Sequence, residues 1–345
     1  MESIYNISLD DLENFFLNNN LKKFKAKQVF KWIYEKKEKS FNKMSDLSKD
    51  TIVLLNNNFI IDDLKIKRKQ IASDGTVKFL FEINDNEYIE SVLMRFNYGY
   101  SACISTQLGC NMGCKFCASG ILKKQRNLTV SEIVLQVIKI SNYLLKANNE
   151  RLSNIVVMGT GEPFDNYDNL IKALSIINSP YGLEIGARHI SISTCGIADK
   201  IKEFADAKYQ YNLAISLHAA NDELRTELMP VNNKYNLKIL FEALKYYLKN
   251  TNRRLTFEYI LLDDVNNKKQ DAKDLAKLLK GMNAYVNLIP YNEVKENAYH
   301  SVSDEKALIF YDMLKKEGVN VTLRQKRGVN IDAACGQLRA KELKI

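Results

Sequence analysis

The sequence contains few of the patterns that mark a membrane or secreted protein. No uninterrupted apolar run approaches the roughly 20 residues that a membrane helix requires. The first residues, MESIYNISLDDLENFF, are acidic and amphipathic rather than charged and then apolar. Six cysteines in 345 residues do not suggest a disulfide scaffold. We therefore expect a cytoplasmic protein without a membrane partner.

The chain also lacks an internal repeat and a low-complexity tract. Its hydrophobic content of 46% and charged content of 26% are ordinary for a globular protein, and its length allows a large core. The net charge of +9, from 50 Lys and Arg against 41 Asp and Glu, favours a polyanionic partner such as nucleic acid. A solvated lysine-rich surface would account for the same charge.

Two regions precede a change of pattern near residue 99. Residues 1–62 predict a helical, basic accessory domain, with Ser8 as an N-cap and lysines crowded between Lys22 and Lys49 around Trp32 and Tyr34. This pattern favours nucleic-acid contact, although a helical bundle with an ordinary solvent-exposed face also fits it. Residues 63–98 predict a β-hairpin extension that turns at Asp74-Gly75 and joins the next domain.

Residues 99–345 alternate between strand and helix patterns. The predicted strands are SACIST, NIVVMG, RHISIST, YNLAISL, RLTFEYIL, AYVNLIP and NVTLR, and the predicted helices are TVSEIVLQVIKISNYLLK, NYDNLIKALSII, KYNLKILFEALKYYL, KKQDAKDLAKLL and SDEKALIFYDMLKKEG. Such alternation predicts an α/β fold with a parallel sheet and helices outside it. Six or seven units fit either a partial barrel or a doubly wound sheet.

Polar residues follow the ends of four predicted strands. They are Gly159, Gly161 and Glu162, then Ser193, then Ser216 and His218, and finally Asn292. Sites in parallel α/β folds form at the carboxyl ends of the strands. We therefore expect these residues to share one pocket.

Three of the six cysteines lie close together in GCNMGCKFCASG, as Cys110, Cys114 and Cys117. A structural zinc site would need a fourth ligand, but the chain has no second CxxC, and its three histidines lie far away in sequence. An iron-sulfur cluster usually takes four thiolates, so three would leave one iron open for another ligand. Gly109, Gly113 and Gly120 would let the loop wrap closely around such a cluster.

The CxxxCxxC spacing, with Phe116 before the last cysteine, resembles the signature of the radical S-adenosylmethionine (SAM) superfamily. Further segments resemble the RlmN family in order and spacing: CISTQLGCNMGCKFCASG, RNLTVSEIVLQV, VVMGTGEP, SISTCG, LAISLHAANDELRTELMP and RGVNIDAACGQL. The resemblance covers roughly residues 85–340. It implies a partial (β/α)6 barrel, with a [4Fe-4S] cluster held by the three cysteines and SAM bound at the open iron.

The resemblance also implies the reaction, which is methylation of adenosine C2 in 23S rRNA and tRNA. Cys335 matches the cysteine that one SAM molecule methylates, and a 5′-deoxyadenosyl radical from a second SAM then activates that methyl group. Cys103 matches the cysteine that releases the product through a transient disulfide with Cys335, and Glu90 matches the base that removes the C2 proton. By pattern alone, Cys103 would be a buried strand residue and Cys335 a structural one.

The resemblance also implies which residues contact SAM and which partners the protein has. Residues that match the family's SAM contacts are Gly161, Glu162, Ser193, Ser216, Leu217, His218 and Asn292. An electron donor such as flavodoxin or ferredoxin is implied, and nothing in the sequence demands an oligomer, so we expect a monomer. Cys195 matches no role and is assigned to packing.

Three alternatives remain at this point. The Cfr type methylates adenine C8 with the same cysteines, but its SAM motif tends to end in GEA, whereas Pro163 follows Glu162 here. A non-enzymatic RNA-binding protein with a structural zinc, and an iron-sulfur electron carrier with four cysteine ligands, belong to other functional classes.

Overall fold

The computed structural model describes residues 1–84, 87–121, 123–294, 297–325, 328, 331 and 337–342. The described strands are β1 (Glu2–Ser3), β2 (Phe59–Ile60), β3 (Lys65–Ile71), β4 (Val77–Asn84), β5 (Glu87–Phe96), β6 (Gly99–Cys103), β7 (Gln107–Leu108), β8 (Arg126–Asn127), β9 (Leu152–Val157), β10 (Ile190–Thr194), β11 (Asn212–Ser216), β12 (Leu255–Leu261), β13 (Ala284–Pro290) and β14 (Val321–Leu323). The described α-helices are α1 (Leu9–Asn18), α2 (Phe24–Phe30), α3 (Lys49–Asn58), α4 (Ala118–Ile121), α5 (Val130–Asn148), α6 (Tyr167–Asn178), α7 (Ala198–Asp206), α8 (Asp222–Leu228), α9 (Leu237–Asn250), α10 (Lys269–Leu279), α11 (Asp304–Lys316) and α12 (Gln337–Glu342). Within these residues, no helix is long and apolar enough to cross a bilayer.

One ten-stranded sheet organises the chain, in the order β14-β13-β12-β11-β10-β9-β6-β5-β4-β3. The seven strands from β6 to β14 in this order are parallel, and helices connect them along the chain. The hairpin strands β3, β4 and β5 extend the same sheet in antiparallel fashion. This arrangement is the partial barrel that the resemblance implied, and the predicted hairpin joins it directly.

The two faces of the sheet differ in chemistry because successive side chains point to opposite sides. The face that meets the helices is apolar and fully buried, with Ile155, Ile192, Ile215, Phe257 and Leu288 on consecutive strands. The opposite face carries Ser193, Ser216, Glu258 and Asn287, and hydrogen bonds join Ser193 to Ser216 and Asn287 to Glu258. The interior of the barrel therefore carries polar groups beside apolar ones, whereas the face that meets the helices is apolar at these positions.

The N-terminal region packs on the outer helices of the barrel. Ser8 caps α1 in a capping box with Asp11, as its sequence position predicts. Asn6 Oδ1 accepts the backbone N–H of Ser131 at 2.7 Å at the start of α5, and Lys172 on α6 pairs with Asp11 at 2.7 Å. Tyr34, which lies among the lysines in the sequence, is buried in the core. It is therefore not available to stack on a nucleic-acid base.

Gln136 on α5 ties this helix to the first barrel strand. Its Oε1 accepts hydrogen bonds from Ser91 Oγ at 2.7 Å and from the backbone N–H of Ser105 at 2.9 Å. Its Nε2 donates to the carbonyl oxygens of Ser105 and Glu132, each at 3.0 Å. Because Gln136 is fully buried, these partners have no access to replacement water.

We predict that Gln136→Leu lowers the free energy of unfolding by about 3 kcal/mol, because it leaves buried donors and acceptors of Ser91 and Ser105 unpaired. Urea denaturation followed by circular dichroism measures this loss. Gln270→Leu is the matched control, because Gln270 is exposed and its amide donates to Asp274 at the surface. It should change stability by less than about 0.5 kcal/mol. Equal losses for the two variants would contradict the prediction.

Candidate active site at the mouth of the barrel

A cavity of about 380 Å³ opens at the carboxyl ends of the parallel strands. All seven polar residues predicted at strand ends line it, namely Gly159, Gly161, Glu162, Ser193, Ser216, His218 and Asn292. Cys103, Cys110, Cys114 and Cys117 line the same cavity. The volume is in the range of small-molecule sites. The structure thus brings together most of the residues that the sequence analysis singled out.

The three-cysteine loop is held in place by a strand pair at its two ends and by hydrogen bonds to α8 and Tyr291. It leaves β7 and returns through β8, and these strands pair with each other. The backbone N–H of Lys115 donates to the carbonyl of Leu228 at the end of α8 at 3.0 Å. Tyr291 Oη donates to the carbonyl of Phe116 at 3.0 Å. The loop is therefore built on barrel elements and keeps its three thiols turned into one cavity.

The environment of these thiols opposes their ionisation unless a cation is bound. Burial raises the pKa of Cys110 to about 12, and the neighbouring Cys117 contributes to this rise. Burial, followed by Cys117 and Cys110, also raises the pKa of Cys114. Buried thiolates become favourable when a metal centre neutralises them. The donor set therefore fits a positively charged iron-sulfur core.

Among the described residues, no three histidine, cysteine, aspartate or glutamate side chains converge closely enough to ligate a single metal ion. A tetrahedral zinc site with Zn–S bonds near 2.3 Å would hold its sulfur atoms about 3.8 Å apart. A cubane cluster takes each cysteine on a different iron, so its ligands need not meet at one point.

Hydrogen bonds from backbone N–H groups join the segment after β9 to the segment after β6. Gly159 N–H donates to the carbonyl of Ile104 at 3.0 Å, and Thr160 N–H donates to Ser105 Oγ at 2.9 Å. The carbonyl of Thr160 accepts from the N–H groups of Thr106 and Gln107. We call residues 104–107 with 159–162 the double wall. It fixes Cys103 relative to Glu162.

Gly161 permits the close approach within the double wall. Its φ is +110°, and a Cβ atom built on it would lie 2.6 Å from Gln107 Cβ. Glu162 beside it is buried, and its two carboxylate oxygens accept the backbone N–H groups of Phe164 at 3.0 Å and Cys195 at 2.8 Å. Burial raises the pKa of Glu162. The carboxyl group therefore faces the cavity in a fixed orientation.

His218 adopts a left-handed backbone conformation, with φ of +59°. Its Nδ1 accepts the backbone N–H of Ile260 at 3.1 Å, which makes Nε2 the protonated nitrogen of the neutral ring. Burial, followed by the charge of Arg225, lowers the pKa of His218 to about 3. The ring packs edge-on against Phe116 at 4.9 Å between centroids. A neutral hydrogen-bond donor is therefore available at the cavity wall.

Two predicted residues, Leu217 and Glu90, do not line the cavity, and a third lies outside the described residues. Leu217 has a fully buried side chain, its N–H donates to the carbonyl of Glu258, and its carbonyl accepts from Ala219. Glu90 lies two residues before Val92, which does line the cavity, on the same face of β5. Cys335 lies outside the described residues.

Glu90 joins the hairpin to the C-terminal helix. Its Oε2 pairs with Lys78 Nζ at 2.9 Å, and both side chains are buried. Its Oε1 accepts the backbone N–H of Arg339 on α12 at 2.6 Å. Glu90 therefore anchors α12, the helix that begins two residues after Cys335 in the sequence.

Sequence reasoning missed three further groups at this site. Cys195 lines the cavity, and Glu258 lines it from β12, where burial raises its pKa. The acidic residue in RLTFEYIL was the available signal, because a charge inside a buried strand pattern indicates an interior-facing group. Arg225 lies in α8, a short helix that the sequence analysis did not predict.

Comparisons with known proteins identify the family. A model of the radical SAM superfamily matches residues 104–279, and a model of the ribosomal RNA large subunit methyltransferase N-terminal domain matches residues 3–61. A probable dual-specificity RNA methyltransferase RlmN from Streptococcus thermophilus is 51% identical over 346 residues, which cover 99% of this chain and 89% of the relative. A protein of the same description from Acholeplasma laidlawii is 50% identical over 340 residues, covering 99% of both chains.

The chain belongs to the RlmN family. A crystal structure of a radical SAM methyltransferase from Sphaerobacter thermophilus also superposes with a TM-score of 0.91 at 38% identity, covering 98% of this chain and 99% of that chain. The RlmN family lies within the radical SAM superfamily, whose cofactors are a [4Fe-4S] cluster and SAM. The cysteine loop and the double wall fit this pair of cofactors.

We predict that Gly161→Ala weakens SAM binding at least about tenfold, equivalent to 1.4 kcal/mol, because the added Cβ would collide with Gln107. Equilibrium dialysis of SAM against the anaerobically reconstituted RlmN-family protein measures this change. Gly281→Ala is the control, since Gly281 also has a positive φ, of +79°, but open space around it. A similar SAM affinity in the two variants would refute the steric explanation.

We predict that His218 makes the folded protein sensitive to mild acid. The unfolded chain takes up a proton near the ordinary histidine pKa, whereas the folded chain does not, so stability falls as pH falls. Between about pH 7 and pH 5 this contribution is about 2 kcal/mol. His218→Asn, whose amide oxygen can still accept from Ile260, should lose less stability over this range in urea denaturation.

His300→Asn is the control for this pH experiment, because His300 is exposed. Its free energy of unfolding should change with pH as that of the unsubstituted protein does. A His218→Asn variant with that same dependence would show that burial does not suppress protonation of His218.

Proposed function

We propose that this chain methylates C2 of adenosine in 23S rRNA and tRNA, as a SAM-dependent radical enzyme. The observation that supports this most strongly is the shared cavity of Cys103 and the three-cysteine loop, in a chain about half identical to RlmN proteins over its whole length. C2 of adenine is an electron-poor CH and not a nucleophile, so direct attack on a SAM methyl group is not available to it.

The cavity residues divide into two groups by what they would hold. Cys110, Cys114 and Cys117 would ligate the cluster, which supplies the electron for reductive cleavage of SAM when both are bound. Glu162, Ser193, Ser216, His218 and Asn292 would bind SAM through the polar groups that they present to the cavity, with Gly161 allowing close approach. Leu217 would contribute through packing behind this wall, because its backbone groups are engaged in the protein.

Two cysteines and one carboxylate would act on the substrate. Cys335 would carry the methyl group to adenine, and Cys103 would attack the sulfur of Cys335 to release the product, as in thiol-disulfide exchange. The position of Cys103 on the cavity wall supports this role. Glu90 would take the C2 proton. To do so, one of its carboxylate oxygens must break its contact with Lys78 Nζ or with the Arg339 N–H and contact the substrate instead.

The N-terminal region would contribute to RNA binding. Its ten lysines between residues 22 and 49, against three acidic residues, supply the charge that phosphate contact requires. We propose residues 1–62 as this accessory domain, 63–98 as the hairpin extension and 99–345 as the catalytic core. The enzyme would act as a cytoplasmic monomer and receive electrons from a flavodoxin- or ferredoxin-type donor.

The rival functions predict different products. A Cfr-type enzyme would yield 8-methyladenosine, and Pro163 after Glu162 argues against it. A zinc-containing RNA-binding protein would consume no SAM, and an electron carrier would leave the polar cavity residues unused.

We predict that Cys335→Ala abolishes RNA methylation while the reconstituted chain keeps its cluster, because Cys335 would carry the methyl group without ligating iron. Mass spectrometry of digested 23S rRNA and tRNA, resolving 2-methyladenosine from 8-methyladenosine, measures the product. Iron analysis and the visible spectrum measure the cluster.

Cys103→Ala is the informative companion variant. It should leave RNA attached to the protein, since the resolving thiol is gone, and the adduct should survive denaturing electrophoresis. Continued methylation by Cys335→Ala would rule out the methyl-carrier role. A colourless, zinc-containing protein after anaerobic reconstitution would rule out the proposed function as a whole.

A further inference from the structure

Arg225 is a completely buried cation without a carboxylate partner in the part of the chain that the structure describes. Its exposed fraction is 0%. Nη1 donates to Asn232 Oδ1 at 2.7 Å and to the carbonyl of Tyr235 at 3.3 Å, and Nη2 donates to the carbonyl of Cys195 at 2.7 Å. All three acceptors are neutral, and Nε is buried without a hydrogen bond.

This arrangement is costly unless an anion is present. Guanidinium keeps its proton in proteins, so burial cannot neutralise Arg225. Buried charges are normally paired or bound to metals, and an uncompensated one costs several kcal/mol. Asp222 interacts with Arg225 only through space, and its Oδ1 accepts hydrogen bonds from Asn232 Nδ2 and Leu237 N–H. A counter-charge therefore remains to be identified.

Arg225 lies directly behind the three-cysteine loop. It belongs to α8, whose last residue, Leu228, accepts the hydrogen bond from Lys115 inside the loop. Arg225 interacts electrostatically with the thiols of Cys195 and Cys114 as well as with Asp222. Cys195, whose carbonyl accepts the hydrogen bond from Nη2, packs in one cluster with Phe116, and Cys114 packs against the same cluster. The missing anion is therefore expected on the loop side.

We propose that Arg225 is the buried counter-charge of the iron-sulfur cluster and that it raises the cluster's reduction potential. The proposal rests on the proposed function, since the three cysteines become anionic only as cluster ligands. Uptake of one electron from an external one-electron donor makes the cluster and its thiolates more negative by one charge. A fixed cation in a low-dielectric site stabilises this reduced state more than the oxidised one. Arg225 touches no substrate and is a positioning residue.

The decisive measurement is the midpoint potential of the cluster, from a dithionite titration of the full-length reconstituted chain followed by electron paramagnetic resonance. We expect Arg225→Gln to make reduction about tenfold less favourable, a negative shift of 59 mV for a one-electron couple. Arg225→Lys keeps the charge and should stay within about threefold of the unsubstituted protein. Arg188→Gln removes an exposed charge and should leave the potential unchanged.

A second variant covers the case in which Arg225→Gln does not fold. Asp222→Asn keeps its acceptor oxygen for Asn232 and Leu237 but removes a negative charge that acts through space on the Arg225 guanidinium. The potential should therefore shift in the positive direction. A negative shift or no shift would overturn the proposal, as would an Arg225→Gln potential equal to that of the unsubstituted chain.

These outcomes separate this inference from the proposed function. If the unsubstituted chain binds the cluster and cleaves SAM while Arg225→Gln leaves the potential unchanged, only the role of Arg225 fails. If Arg225→Lys shifts the potential as far as Arg225→Gln does, the side chain acts through its shape and not its charge, and the proposal also fails. If the unsubstituted chain binds no cluster, the proposed function fails together with this inference.

Discussion

The site depends on an electrostatic constraint, which is that half-buried thiols cannot ionise together without positive charge beside them. The three-cysteine loop meets this constraint by facing a cavity in which a metal cluster can bind, while its backbone is fixed by β7, β8 and α8. The outer face of the sheet carries the apolar contacts that stabilise the barrel, so the interior need not supply them.

Much of the fold was predictable because its periodicities are long and regular. The seven predicted barrel strands correspond to β6 and β9–β14, and five predicted helices correspond to α5, α6, α9, α10 and α11. Helices α7 and α8 escaped prediction because they have only nine and seven residues. Few turns give too little periodicity to distinguish such a segment from a connecting loop.

The site was predictable where topology alone brings residues together. Polar residues after parallel strands share a cavity because those strands end at one edge of the sheet. Arg225 could not be found in this way, because its proximity to the three-cysteine loop depends on how α8 packs beneath that loop. Cys195 directly follows β10 at the same edge, but its residue type led to an assignment to packing. Glu90 illustrates a further limit, since sequence suggested a base but not its contacts with Lys78 and Arg339. Tyr34 was misleading for a related reason, because its neighbours in sequence are lysines but its surroundings in space are apolar.

The double wall has a consequence for turnover. Residues 104–107 and 159–162 share three main-chain hydrogen bonds and one from Thr160 N–H to Ser105 Oγ, so neither segment can shift without breaking bonds of the other. The hydrogen bonds thus hold the thiol of Cys103 and the carboxyl of Glu162 at fixed positions relative to each other. A ligand in this cavity therefore meets Cys103 and Glu162 at a fixed separation, and it can move only relative to both of them together.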